Sequence, residues 1–392
     1  VQSLFASIAP PSAANSHKQQ SVLDQLTPTV RKDFEQLAGL HHSDLLAAHE
    51  TVEKVPAQFK RRLIVEALKQ PWGGLTNLER QGLLLAELAA GGSINLPALL
   101  DVLEAGMDRT STFYKPVPLP TNSSHEELQA FLVGSLEQAS LHRDNALKNL
   151  TEAERHFLFL HARSMVEHFL PQVSSLSDRT GARIKADLRF AELLEGQVDY
   201  ASLIAAAQVL ARLANERWLQ QVAAAWTNPL PASAVPPGVT GDVLLVQETS
   251  YGLIIIGGPG PNTYELDKYI DLIIDVGGND LYRGMIASSV NEEQGNAVVI
   301  DLNGDDTYAG APLGLATGRL GVGLLIDHDG DDVYQLGMGS GGAGFGGLGI
   351  LFDTNGDDVY MGNRLTQGAA IGGLGLLLDA AGNDRYTSHG FA

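Results

Sequence analysis

The stretch Ile326-Asp327-His328-Asp329-Gly330-Asp331-Asp332-Val333-Tyr334 (IDHDGDDVY) decides the fold, because the chain repeats it. IDVGGNDLY (Ile274–Tyr282), IDLNGDDTY (Ile300–Tyr308), FDTNGDDVY (Phe352–Tyr360) and LDAAGNDRY (Leu378–Tyr386) align with it without gaps. The leading aspartates Asp275, Asp301, Asp327, Asp353 and Asp379 stand 26 residues apart (301 − 275 through 379 − 353), as do the closing tyrosines. Gly321, Gly347 and Gly373 keep the same interval, and so do Gly323, Gly349 and Gly375. Intervals without insertion mean that one repeat is one turn of a coil, since an added residue would break the stack.

Each repeat has an apolar strand ending in Asp, a turn with Gly in fourth place, and a short strand carrying Tyr. The turn glycines Gly278, Gly304, Gly330, Gly356 and Gly382 suit a positive φ. The Gly-rich remainder, as in Gly337–Gly349, suits tight corners. Stacked rungs form parallel sheets with ladders of identical residues. The sequence therefore predicts a parallel β-helix, or β-solenoid, of about five 26-residue rungs over residues 243–392. GGPGPNTY (Gly257–Tyr264) is a weaker copy, 18 residues upstream (282 − 264), and reads as an irregular first rung.

Vertical registry has an electrostatic consequence. Carboxylates at equivalent positions lie about 4.8 Å apart. They repel by roughly 0.9 kcal/mol per pair in water and ~3.5 kcal/mol at an effective dielectric of 20. Two ladders are implied, Asp275/Asp301/Asp327/Asp353/Asp379 and Asp280/Asp306/Asp332/Asp358/Asp384, with Asp305, Asp331 and Asp357 beside them. Lys268, Arg283, Arg319, Arg364 and Arg385 are too few to neutralise them. Raised carboxylate pKa values are one escape, and bridging divalent cations the other. Calcium accepts six to eight hard oxygens in loose geometry. The plainer alternative is an Asx-type turn in which each Asp caps backbone N–H groups. The Tyr ladder reads as core stacking.

The turn resembles the calcium-binding nonapeptide of RTX proteins, GGxGxDxUx. Gly278, Asp280 and Tyr282 match its fourth, sixth and eighth positions, and the equivalents in the other four rungs match likewise. The resemblance implies calcium ligation by Asp280, Asp306, Asp332, Asp358 and Asp384. This chain departs from the pattern in its 26-residue period, where RTX arrays repeat every nine residues, and in Asp at the first position. The upstream copy has Asn262 at the ligand place, so that rung is expected to hold no ion.

Upstream the pattern changes. Residues 1–20 read as an extended arm, and 21–227 as an all-α domain of about eight helices. Apolar residues recur at helical spacing in Phe59–Leu68, Leu78–Leu88, Leu96–Leu103, Leu128–Leu150, Glu152–Val173 and Ala201–Ala225. Thr76/Glu79 and Thr151/Glu154 have capping-box spacing. Four prolines mark Asn228–Asp242 as a linker. The whole is an α+β multidomain chain: helical domain first, solenoid second.

Composition bounds the function. From Gly241 onward 21 acidic residues face 5 basic ones, so −16 (5 − 21) of the net −20 falls there. Such a surface repels nucleic acid and anionic lipid and attracts cations or basic partners. No apolar run reaches the ~20 residues that span a bilayer. The absence of Cys excludes disulfides and thiolate metal sites, and with the Val1 start points to a processed, secreted, periplasmic or surface chain. There is no GxSxG, HExxH or Walker A sequence. His156, His161, His168 and the pair His41-His42 read as ordinary surface histidines. Asn122-Ser-Ser and Asn149-Leu-Thr fit the glycosylation sequon.

A non-catalytic structural or binding role is favoured, as a scaffold or subunit of a larger assembly. A protein partner or further repeats are expected to cap the open C-terminal rung, and oligomers are compatible with it. The alternative is a polysaccharide lyase-like enzyme on a β-helix. Its basic cluster is missing, because the arginines do not share a ladder position.

Overall fold

The structure is a computed structural model of the chain. It describes residues 118–120, 124–167, 181–266, 270–289, 291–293 and 295–390, with Lys32 and Leu100 besides. The arm, Phe59–Leu68, Leu78–Leu88, His41, His42, His168, Asn122 and all of Leu96–Leu103 but Leu100 lie outside the described residues. The chain divides into two compact units, Val1–Leu85 and Ala86–Ala392. Of the first, Lys32 alone is described, in a helical conformation. All that follows concerns the second.

Five α-helices are described: α1 (His125–Leu147), α2 (Glu152–Glu167), α3 (Gly181–Gln197), α4 (Tyr200–Ala211) and α5 (Glu216–Ala225). Their starts follow local chemistry. Ser124 accepts from the Glu127 amide to open α1. The Thr151/Glu154 capping box closes in both directions at α2, at 3.1 and 3.3 Å. The helix expected over Ala201–Ala225 is two helices. Arg212–Ala214 tightens into a 3₁₀ turn, and Asn215 leaves the helical conformation to cap α5 through the Trp218 amide.

From Val239 the chain coils into a three-sided solenoid of about four turns. One side is a sheet of parallel strands: Gly252–Gly257, Leu272–Asp275, Ala297–Asp301, Val322–Asp327, Leu348–Asp353 and Leu374–Asp379, with Val243–Thr249 antiparallel at its first edge. The second side stacks Thr263–Leu266, Leu281–Ile286, Thr307–Leu315, Val333–Gln335, Val359–Gly362 and Arg385–Ser388. Val239–Thr240, at the end of the Pro-rich segment, lies antiparallel across its first strand. The third side is a ladder of two-residue strands, Gly318–Arg319, Gly344–Phe345 and Ala370–Ile371.

Register follows the 26-residue interval. Asp275 pairs with Asp301, Asp301 with Asp327, Asp327 with Asp353 and Asp353 with Asp379. The tyrosines pair likewise, and Tyr264 of the weak copy joins them. Six tyrosine rings thus stack in one column, with centroids 4.6–4.8 Å apart. The turn glycine is obligatory for two reasons. Gly304 has φ +146°, and a Cβ there would lie 1.5 Å from the Gly278 carbonyl oxygen of the neighbouring rung.

The central strands of the first side, Leu272–Asp275, Ala297–Asp301, Val322–Asp327 and Leu348–Asp353, are buried on both faces, which explains their unbroken apolar runs. Ile255, Ile273, Val299, Leu325 and Leu351 point into the coil with the tyrosines. The outer face is covered by helix: α4, buried at all twelve residues, packs on α1 and on Val322–Asp327 and Leu348–Asp353. Polar pins also join helices to coil. The buried Arg143 of α1 donates from Nε to the Leu320 carbonyl (2.8 Å), from Nη1 to that of Glu293 (2.9 Å) and from Nη2 to that of Glu292. The Tyr200 hydroxyl donates to the Gly372 carbonyl.

Candidate metal centre

Each turn is built around its first Asp. Asp275, Asp301 and Asp353 accept at Oδ1 from the amide two residues on, at 3.1, 3.1 and 3.2 Å, an Asx turn. Their Oδ2 atoms accept from the tyrosine of the preceding rung, 2.5 Å from Tyr264, Tyr282 and Tyr334. Asp327 takes the hydroxyl of Tyr308 in the same way. Asp379 instead accepts from Tyr386 of its own rung, at 2.7 Å.

The sixth-position aspartates form a second chain of bonds. The amides of Asn262, Asp280, Asp306, Asp332 and Asp358 donate to Oδ1 of the sixth-position Asp one rung further on, at 2.7, 2.7, 2.7, 2.8 and 3.1 Å. The backbone-capping reading therefore accounts for one oxygen of each carboxylate except Asp327 and Asp379, which are held by a tyrosine hydroxyl alone. It leaves others over. Asp280 Oδ2, Asp327 Oδ1, Asp358 Oδ2 and Asp379 Oδ1 are buried atoms with no hydrogen-bond partner, a costly condition for a charged oxygen.

These carboxylates gather in threes. One oxygen from each of Asp275, Asp280 and Asp301 lies within 4.8 Å of the others, and so do those of Asp306/Asp327/Asp332, Asp332/Asp353/Asp358 and Asp358/Asp379/Asp384. Oxygens that share a calcium ion at ~2.3–2.6 Å are at most about 5.2 Å apart, so the spacing is compatible with such an ion. Asp305, Asp331 and Asp357 are not in these groups. They stand on the exposed side of the turn, where Asp305 and Asp331 accept from the next rung's fifth-position amide at 3.1 and 2.9 Å, and Asp357 from that of Asn383 at 2.8 Å.

Burial governs the titration of the inner columns. Loss of water raises Asp280 to about 9, with the Asp275 charge adding to it, and raises Asp353 to about 9, with Asp358 adding. Asp332 rises to about 7, and Asp306 and Asp358 to about 6, burial again leading. Asp301 and Asp327, the most deeply enclosed, are held well above the carboxylate range, first by burial and then by Asp306 and Asp332 respectively. Asp275 and Asp379 are raised by burial too. The same burial keeps the column tyrosines protonated, so they act as donors.

Some participants escape a reading based on acidic ladders. The third-position carboxylate of Asp329 is clasped between the amides of Asn303 (3.1 Å) and Asn355 (2.6 Å). His328 is half-buried, its Nε2 enclosed without a partner, and loss of water lowers it to about 4. The hydroxyl role of the tyrosines had a signal: the eighth position is Tyr in every rung and never Phe. Among the described residues no histidine joins an acidic group. His156 meets Glu292 at 2.5 Å, and His161 meets Asp187 at 2.9 Å.

The chain matches no protein-family model, no curated protein and no solved structure. The likeness to the RTX nonapeptide accordingly rests on the turn residues alone.

Proposed function

We propose that this chain is a non-catalytic structural or binding protein whose solenoid is stiffened by divalent cations, calcium foremost. The reading rests on the buried, unpartnered carboxylate oxygens that recur within the acidic groups. A divalent ion replaces several protons at once and converts column repulsion into attraction. Asp275, Asp280, Asp301, Asp306, Asp327, Asp332, Asp353, Asp358, Asp379 and Asp384 would supply the oxygens. Three monodentate carboxylates fall short of the six to eight oxygens calcium takes, so water or turn carbonyls would complete the set. Asp305, Asp331 and Asp357 remain an outer, solvated column.

Millimolar calcium outside cells keeps weak turn sites filled, which favours a secreted or surface setting. No described helix is long and apolar enough to cross a membrane. The rung that carries Tyr386, 48 % exposed, offers a surface for a protein partner. Among the described residues, two of the basic side chains that the enzyme reading would need are engaged elsewhere. Arg319 is spent under the Phe159 ring at 3.9 Å and on the Ser289 carbonyl, and Arg283 pairs with Glu265.

Metal analysis of the purified protein, with melting before and after EDTA, tests the proposal. Bound calcium and a drop in melting temperature on chelation are expected. A metal-free protein whose melting ignores both calcium and EDTA would remove the cation from the account.

A further inference from the structure

A second polar site lies away from the acidic columns, in a cavity of about 240 Å³ between α1 and the solenoid. Ser140 and Asp144 line it from α1, Tyr251 from the turn after Val243–Thr249, and Asp271, Glu293 and Asn296 from the coil. Asn296 is 7 % exposed. Its Oδ1 accepts from the Val322 amide at 3.2 Å, which sets the orientation of the side-chain amide. That leaves Nδ2 as a buried donor without an acceptor. Asp271, 3 % exposed, accepts from the Leu253 amide at Oδ2 (3.0 Å). Tyr251 is tied to α1 through Glu137 at 3.0 Å.

The lining defines its ligand. Asn296 calls for an acceptor, and Asp271 with its neighbours Asp144 and Glu293 for donors. The one guanidinium in the wall, Arg143, is committed to main-chain carbonyls. Anions are repelled by three carboxylates. Vicinal hydroxyls, each donor and acceptor together, satisfy both demands, and Tyr251, Leu136 and Leu141 offer apolar surface to ring C–H groups. The volume is below the ~300–1,000 Å³ of drug-sized sites, which sets the ligand at a single ring. We infer that this cleft binds a neutral polyhydroxylated ligand the size of one pyranose, held by Asn296 and Asp271.

Saturation-transfer NMR on the full chain tests it, with the methyl glycosides of glucose, galactose, mannose and N-acetylglucosamine as probes and choline as the cationic control. A saturable signal from at least one glycoside is expected. Asn296→Ala should weaken it about tenfold or more. Ser140→Trp, a change on α1 that fills the cavity without removing a buried partner, should abolish it. Circular dichroism checks that each variant is folded, and if Asn296→Ala is not, Ser140→Trp decides alone. No saturable signal from any glycoside, a signal that survives Ser140→Trp, or binding of choline in preference overturns the inference.

Discussion

The hydroxyl of Tyr334 donates to Oδ2 of Asp353, the residue that opens the next rung, at 2.5 Å. Both are fully buried, and each sits in a column of its own kind. The bond ties the two sides of the coil together across a rung boundary. It also makes a stacked tyrosine, which reads as core, part of the polar network.

Tyr334→Phe keeps the ring stack and removes the donor. Asp353 then has one oxygen fewer satisfied in a dry site. A loss of about 1–3 kcal/mol is expected. Urea denaturation checks it, and a change within error would show that the hydroxyl carries no weight.

Asp332 belongs to two of the acidic groups, whereas Asp331 beside it faces solvent. Asp332→Asn should reduce calcium stoichiometry and shrink the melting shift caused by EDTA. Asp331→Asn retains the amide-accepting oxygen, as Asn279 does in the same column, and should alter stability by less than ~0.5 kcal/mol. Equal effects from the two variants would contradict the division into inner and outer columns.

The inner carboxylates are raised in the folded state, so without metal the native protein holds more protons than the unfolded chain. The stability they contribute is complete below about 4 and is lost as pH rises through the folded values, near 7 for Asp332 and near 9 for Asp280 and Asp353. EDTA-treated protein should therefore melt at progressively lower temperature from pH 5 to pH 9, and calcium should flatten the profile. A metal-free melting temperature that climbs over this range would reverse the sign and refute the burial argument.

Arg143 buries its charge against three main-chain carbonyls of the coil. Arg143→Met leaves those carbonyls short of donors and should cost about 3 kcal/mol. Chemical denaturation followed by far-ultraviolet circular dichroism measures it. A loss below about 0.5 kcal/mol would mean that the Arg143 bonds do not hold the helices to the coil.

Equal spacing along the chain was enough to establish the coil, its register and the columns of Asp and Tyr, because a solenoid places residues one period apart directly above one another. The spacing also identified which carboxylates are stacked. Other features depended on three-dimensional neighbours. The copy ending in Tyr264, 18 residues upstream, reads as an irregular first rung, and the structure places its ring at the head of the tyrosine column. Helix α3 escaped notice because its buried residues, Phe190, Leu193 and Leu194, crowd into one end, while Ile184 and Leu188 are exposed. Adjacent Asp305 and Asp306 look alike as letters, yet one is solvated and the other buried. Which oxygens find an amide, which find a tyrosine and which are left for a cation is set by contacts between rungs and by the helices that keep water off the outer sheet. Those contacts decide desolvation, and desolvation decides the charge state of the column.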